Sequence, residues 1–372
     1  MKGLCRRTAA ATLVSVTLWA GACLAGEPAS RAEAQGAGVL SLSEGLRLAT
    51  ENSRVVKIAA REREMASADA DAARSFLLPS VNASASETFL AYQPGASFGT
   101  VEVDTAERQS LAYGLSIRQT LYDFGGNRSR YEASKASLEA SGLSLDFTRN
   151  RVALDFIVAY FDLLETDAMV EVEKKEVQRL QSHLDVASSL YQEGVITKND
   201  LLQAEVRLSD ARQRLLNVRN LRSVNAARIN NILSRPAGTP VQVEEVAGNL
   251  PAVRYELDAA WETAMERNMQ LKIIDRELAA AALEQSAVKA QYYPEFFALG
   301  AYDYTQNKFQ LHQDNWSLVV GVNINLYSGG RTRAEAQKAI YRQQRLRELR
   351  QKTLDDIKLE VERNYLGVEN AR

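Results

Sequence analysis

No proline interrupts the chain between Pro94 and Pro236, and this interval constrains the fold more than any other feature. A proline lacks the amide donor that a helix interior needs, so its absence over such a span permits very long helices. Within the interval, Val170, Glu173, Val177, Leu180, Leu184, Ala187 and Tyr191 are spaced in threes and fours. That is a heptad seam with Glu173 as its one misfit. Leu201, Ala204, Leu208, Ala211, Leu215 and Val218 form a second seam. Between the two lies Glu193-Gly194-Val195-Ile196-Thr197. Gly194 can take the left-handed conformation that ends a helix. Thr197, with Asp200 three residues on, can cap the start of the next. The spacing predicts a helical hairpin turning near residue 195. Its first helix should run from Asn127 to Glu193, about 100 Å at 1.5 Å per residue.

The chain also repeats itself. Leu42-Ser43-Glu44-Gly45-Leu46 and Leu257-Asp258-Ala259-Ala260-Trp261 begin two related copies. Ala49, Lys57, Arg61, Glu62 and Pro79 recur at one constant offset as Ala264, Lys272, Arg276, Glu277 and Pro294. Leu121-Tyr122-Asp123-Phe124-Gly125-Gly126 is matched by Leu326-Tyr327-Ser328-Gly329-Gly330. Each copy reads as helix, proline stop, strand pair, double glycine and long helix. The first copy covers 40–232 and the second 257–372, with a Pro- and Gly-containing linker over 233–256. Val241-Gln242-Val243 in that linker suggests a small strand.

Each strand pair has one sharply alternating member. Leu111, Tyr113, Leu115, Ile117 and Leu121 alternate with Ala112, Gly114, Ser116, Arg118 and Thr120. Trp316, Leu318, Val320, Val322, Ile324 and Leu326 alternate with Ser317, Val319, Gly321, Asn323 and Asn325. Their partners are predicted over Val81–Tyr92 and Phe296–Tyr304. These runs have the length of membrane-spanning β-strands, and aromatics gather near their ends: Tyr92, Tyr122, Tyr292, Tyr293, Tyr304, Trp316 and Tyr327. A half-buried soluble sheet alternates in the same way, so alternation alone leaves both readings open. If the strands enter lipid, four of them cannot close a barrel and an open edge cannot stand unpaired there. Several chains must then share one barrel; three would give twelve strands, although two or four would also close.

Composition removes other function classes. The net charge is -2, so nothing favours a nucleic-acid partner. His183 and His312 are the only histidines, and Cys5 and Cys23 the only cysteines. No metal-ligand spacing or nucleophilic triad emerges, so the expectation is a non-enzyme with no cofactor, no catalytic residue and no metal site. Residues 1–25 read as a secretory signal. Lys2, Arg6 and Arg7 precede an apolar run from Ala9 to Ala22, too short to span a membrane comfortably. Cys23 either leaves with the signal or becomes the lipidated first residue of the mature chain.

Taken in order, these motifs resemble the TolC family of outer-membrane export channels. The resemblance runs from about Leu40 to the end. It rests on the duplicated Leu42-Ser43-Glu44-Gly45-Leu46 start, on Leu77-Leu78-Pro79 and on the Leu-Tyr-Asp-Phe-Gly-Gly run. The stretch from Tyr191 through Gly194, Thr197 and Asp200 to Glu205 adds to it. It implies a mainly α protein with membrane β: long antiparallel coiled-coil helices and four membrane strands per chain. It further implies a homotrimer sharing a twelve-stranded β-barrel in outer-membrane lipid and an α-helical tunnel through the periplasm. Such a channel is a passive conduit for efflux or type I secretion, docked onto a periplasmic adaptor protein and an inner-membrane transporter. By the same resemblance, Gly194, Val195, Ile196, Thr197 and Asp200 form the tip that meets the adaptor. Asp200 matches an acidic position that helps hold the tunnel closed, although capping its own helix is an equal reading.

One departure stands out. After Gly126 the first copy runs on through a full helical hairpin to Ile232, whereas after Gly330 the second reaches only Arg372. The second tip, which in the family bears the acidic constriction, has no counterpart. Residues 1–372 alone are therefore expected to make a poor tunnel. The competing class is a secreted periplasmic coiled-coil structural or adaptor protein without a pore.

Overall fold

The computed structural model describes residues 39–245 and 256–371. The expected signal segment, Cys23 and part of the linker lie outside the described residues. The first half begins with α1 (Leu42–Asn52) and α2 (Arg54–Ser75), followed by strands β1 (Ser80–Phe89), β2 (Gly95–Phe98), β3 (Val101–Asp104) and β4 (Gln109–Tyr122). Two long helices follow, α3 (Gly126–Gln192) and α4 (Lys198–Ile232). The second half has α5 (Leu257–Arg267), α6 (Met269–Ala290), β5 (Glu295–Thr305), β6 (Asp314–Asn323) and α7 (Arg331–Ala371).

At 67 residues, α3 is about 100 Å long. It is the spine of the molecule, with α1, α2, α4 and α6 all packed along it, while α7 lies on α5 and α6. The expected heptad positions Val170, Leu180 and Ala187 on α3 are buried, as are Ala204, Leu208, Ala211 and Leu215 on α4. Glu173, the misfit, meets the Arg214 guanidinium of α4 at 3.5 Å.

The initial helix of each half is in fact two. Ser53 separates α1 from α2 with an extended backbone and sits buried, and the Arg54 amide donates to Ser234 Oγ at 3.2 Å. Asn268 separates α5 from α6, and its side chain accepts from the Gln270 and Leu271 amides at 2.8 and 3.2 Å. Asn268 thereby caps the start of α6 with its side chain, whereas Ser53 holds the N-cap position of α2 without a side-chain cap bond.

The main core lies midway along α3. Phe156, Ala159, Tyr160 and Leu163 are fully buried there against Ala49, Val56, Ile229 and Leu233. A Cβ on Gly45 would lie 2.1 Å from Phe156 Cζ, so only glycine lets α1 come this close to α3. The expected strand at Val241–Val243 is a single parallel bridge between Val243 and Leu40. The buried Tyr160 hydroxyl donates within reach of two carbonyls around it, Leu40 at 3.1 Å and Glu244 at 2.7 Å. A second, smaller cluster of Leu180, Leu208 and Ala211 lies farther out along the α3–α4 hairpin.

Four strands form one antiparallel sheet in the order β1-β4-β5-β6, and β2 and β3 pair separately. Three expectations change in detail. β1 ends at Phe89 rather than Tyr92, and β6 ends at Asn323 rather than continuing to Leu326. The β2–β3 hairpin was not foreseen. Its strands are only four residues each, and Gly99 at φ 65 opens its turn.

Candidate functional site

Two places on the molecule carry what chemistry it has: the four-stranded sheet and the tip of the α3–α4 hairpin.

Directly paired residues share a face of a sheet. The register sets Val81 beside Ile117, Ala83 beside Leu115 and Ala85 beside Tyr113. Continuing across, Leu115 meets Tyr302 and Ile117 meets Gly300, and these meet Trp316 and Leu318. One face is thus almost wholly apolar, and no other layer among the described residues covers it: Trp316, Leu318 and Val320 are 76%, 69% and 69% exposed. The opposite face carries Asn82, Ser84 and Ser86, then Ser116, Gly114 and Ala112, then Ser317 and Asn315. The soluble-sheet reading would bury the apolar side. Here the apolar residues of β4 are exposed, while Ser110, Ala112, Gly114 and Ser116 between them are half-buried.

Two contacts tighten the polar face. The Phe297 ring covers Gly321, where a Cβ would fall 2.6 Å from Cζ. The Arg118 guanidinium lies 4.4 Å above that ring. The apolar face ends, near the helices, in an aromatic cluster. Phe124 stacks on Tyr293 with centroids 4.9 Å apart and touches Tyr122 at 4.8 Å. β1 and β6 are the edge strands, each with one side unpaired among the described residues.

At the tip, the amide of Val195 donates to the Leu190 carbonyl at 2.9 Å and that of Gly194 to Tyr191 at 3.0 Å. Gly194 has φ 76. These two bonds around a left-handed glycine are a Schellman stop, which satisfies carbonyls that the end of α3 would leave orphaned. The next helix starts in a full capping box. The Asp200 amide donates to Thr197 Oγ1 at 3.3 Å, and the Thr197 amide donates to Asp200 Oδ2 at 3.0 Å. The Thr197 hydroxyl also donates to Oδ2, at 2.7 Å. These donors stabilise the charged carboxylate, the Thr197 hydroxyl most of all, and hold the Asp200 pKa below its ordinary value. Val195 is 68% exposed and Ile196 is half-buried. The five expected tip residues therefore sit together in one turn, and among the described residues Asp200 bonds Thr197 through its side chain and its capping amide. Among the described residues no group of three or more His, Cys, Asp or Glu could hold a metal ion.

Residues 45–235 match the model of the outer membrane efflux protein family, just over half of the chain. This chain belongs to the outer membrane efflux protein family. The TolC-type resemblance of its motifs is borne out, and membership assigns the chain to the bacterial outer membrane, among channel proteins rather than enzymes. It is 26% identical over 229 residues to nodulation protein T of Rhizobium leguminosarum bv. viciae, covering 60% of this chain and 47% of that protein. It is 23% identical over 327 residues to the alkaline protease secretion protein AprF of Pseudomonas aeruginosa, covering 82% and 65%. The chain thus spans about half the length of the nodulation protein it matches. The fold is similar to that of the Campylobacter jejuni CmeC outer membrane channel, with TM-score 0.74 at 16% identity over 85% of this chain and 68% of that one. It is similar also to the Vibrio cholerae outer membrane protein VceC, with TM-score 0.70 at 17% identity over 85% and 75%. No described helix is long and apolar enough to cross a membrane, which says nothing of strands.

Proposed function

We propose that this chain is the outer-membrane channel subunit of a tripartite export system, a passive conduit for efflux or type I secretion. The observation that carries the proposal is the sheet, with an uncovered apolar face, a polar opposite face and an unpaired edge on each side. Lipid offers no partner to strand-edge amides and carbonyls, so only closure can satisfy β1 and β6. β6 of one chain pairing with β1 of the next supplies that closure, and three copies give a shared twelve-stranded barrel with the polar face lining water. In this reading α3, α4, α6 and α7 continue the barrel as a helical tunnel on the periplasmic side. The two halves, 40–232 and 257–372, act as repeated units joined by the 233–256 linker.

The tip from Gly194 to Asp200 is the contact for a periplasmic adaptor, which connects to an inner-membrane transporter. Val195 supplies exposed apolar surface at an end where a lone helical turn has no other use for it. Similarity to a protein named for alkaline protease secretion and to one titled as the CmeC outer membrane channel supports export without naming a cargo. The experiment is the mass of detergent-extracted protein from the outer-membrane fraction of expressing cells. A trimer is the expected result. A soluble monomer or dimer would instead favour the pore-less periplasmic coiled-coil protein.

A further inference from the structure

The junction between sheet and helices holds a pattern that the channel reading does not use. Arg74 and Lys289 stand in the last turns of α2 and α6. Arg128 and Arg333 stand in the first turns of α3 and α7. All four are exposed, and none joins an ion pair among the described residues. The two halves of the chain also agree. Arg74 precedes Pro79 by the same number of residues as Lys289 precedes Pro294, and Arg128 and Arg333 lie two and three residues past the double glycines that end at Gly126 and Gly330.

A second pair of arginines faces elsewhere. Arg130 and Arg331 line a polar hollow of about 500 Å³ with Glu295 and Asn323, which belong to the polar face of the sheet. Arg128 and Arg333 lie two residues away on their helices, roughly 200° round at 3.6 residues per turn. They do not line the hollow, and neither do Arg74 and Lys289, whereas Tyr293 and Asp123 border it. Asp71 and Glu132 stand one turn farther from the sheet, and Glu132 is engaged by Lys135 at 3.3 Å.

Phe124, four residues before Arg128, and Tyr293, four residues after Lys289, belong to the aromatic cluster, whose geometry is held at a cost. Phe124 has φ 54, an uncommon conformation for a bulky residue. Asp123 fixes it by accepting from the Gly125 amide at 3.2 Å and the Asn127 amide at 2.6 Å. The ring is thereby stacked on Tyr293, and both stay exposed next to the apolar face. Strain that sets an aromatic ring in solvent calls for an external partner. Amphipathic rings at the edge of an apolar band, with unpaired cations just beyond, suit the headgroup layer of a bilayer.

We infer that Arg74, Arg128, Lys289 and Arg333, with Phe124 and Tyr293, form a collar that binds the phosphates of anionic phospholipids in the leaflet facing the helices. The inference rests on the membrane reading of the sheet. The collar takes phosphatidylglycerol in preference to a zwitterionic lipid, with each basic residue contributing about five-fold at the surface.

The test is native mass spectrometry of the detergent-extracted full chain, counting retained phosphatidylglycerol and phosphatidylcholine. Wild type should retain phosphatidylglycerol preferentially. The combined change Arg74→Gln, Arg128→Gln, Lys289→Gln and Arg333→Gln should abolish the preference, with helical circular dichroism unchanged. Arg130→Gln with Arg331→Gln should leave it intact. Equal retention of both lipids by the wild type overturns the inference while leaving the membrane reading standing. Loss of the preference in the Arg130 and Arg331 variant instead of the combined one overturns it as well. Retention of neither lipid sinks both readings.

Discussion

Asp200 shows how much one carboxylate can hold at the start of a helix. It accepts from the Thr197 amide and hydroxyl while its own amide donates back to Thr197, and those donors keep its pKa low. The sign of the pH effect follows. A depressed carboxylate pKa stabilises the capped turn above the ordinary carboxylate range, near pH 4, and that contribution is lost as pH falls through the lowered value. Thr197→Ala removes the hydroxyl donor, so the Asp200 carboxyl should titrate at higher pH than in wild type when followed by NMR. An unchanged titration would show that the hydroxyl is not what holds it. This cap was legible because Thr and Asp three residues apart form a local pattern. The left-handed Phe124 was not, since its conformation depends on Asp123 side-chain bonds and on Tyr293 arriving from the other half of the chain.

The α3–α4 hairpin tests what a polar residue does inside an apolar seam. Periodicity located the seam between both helices, because a two-helix contact leaves its spacing in the chain, and Gly194 and Thr197 marked the turn between them. It could not say what Glu173 does. Its Oε2 is buried with no hydrogen-bond donor, and Arg214, half-exposed, stands 3.5 Å away. A weakly compensated carboxylate costs desolvation that its partner only partly returns. Glu173→Leu should therefore match or exceed wild-type stability, by up to about 1 kcal/mol, whereas Arg214→Ala, which removes a half-exposed partner, should lose up to about 1 kcal/mol. Urea midpoints of the two variants decide it, and a large loss in Glu173→Leu would mean that the pair is net stabilising. The breaks at Ser53 and Asn268 were hidden for a different reason. The pattern there continues across the capping residue, so nothing in the periodicity marks a second helix.

For the molecule as a whole, the sheet carries the strongest consequence. Alternation in β4 and β6 was readable, but which side meets lipid was not, because a soluble sheet alternates in the same way. The uncovered apolar face separates the two and yields a paired experiment on neighbouring residues. Leu115→Arg puts a charge on the apolar face and should cost about 2–4 kcal/mol near mid-bilayer, depleting the protein from the outer-membrane fraction. Ser116→Arg, on the polar face, should leave that fraction nearly unchanged. Equal depletion by both would mean that the faces are not lipid and water. The main core around Phe156 and Tyr160 also sets the mechanics of the far end. Between Tyr160 and Gly194 the chain extends roughly 50 Å at 1.5 Å per residue, and beyond the core the two rods meet along one narrow seam, which includes the Glu173–Arg214 pair and the small Leu180–Leu208–Ala211 cluster. That is a cantilever clamped at one end, whose deflection under a sideways load grows with the cube of its free length. A one-degree rotation at the root swings the tip by about 0.9 Å over that lever arm, so motions too small to disturb the clamp are delivered, enlarged, at Val195.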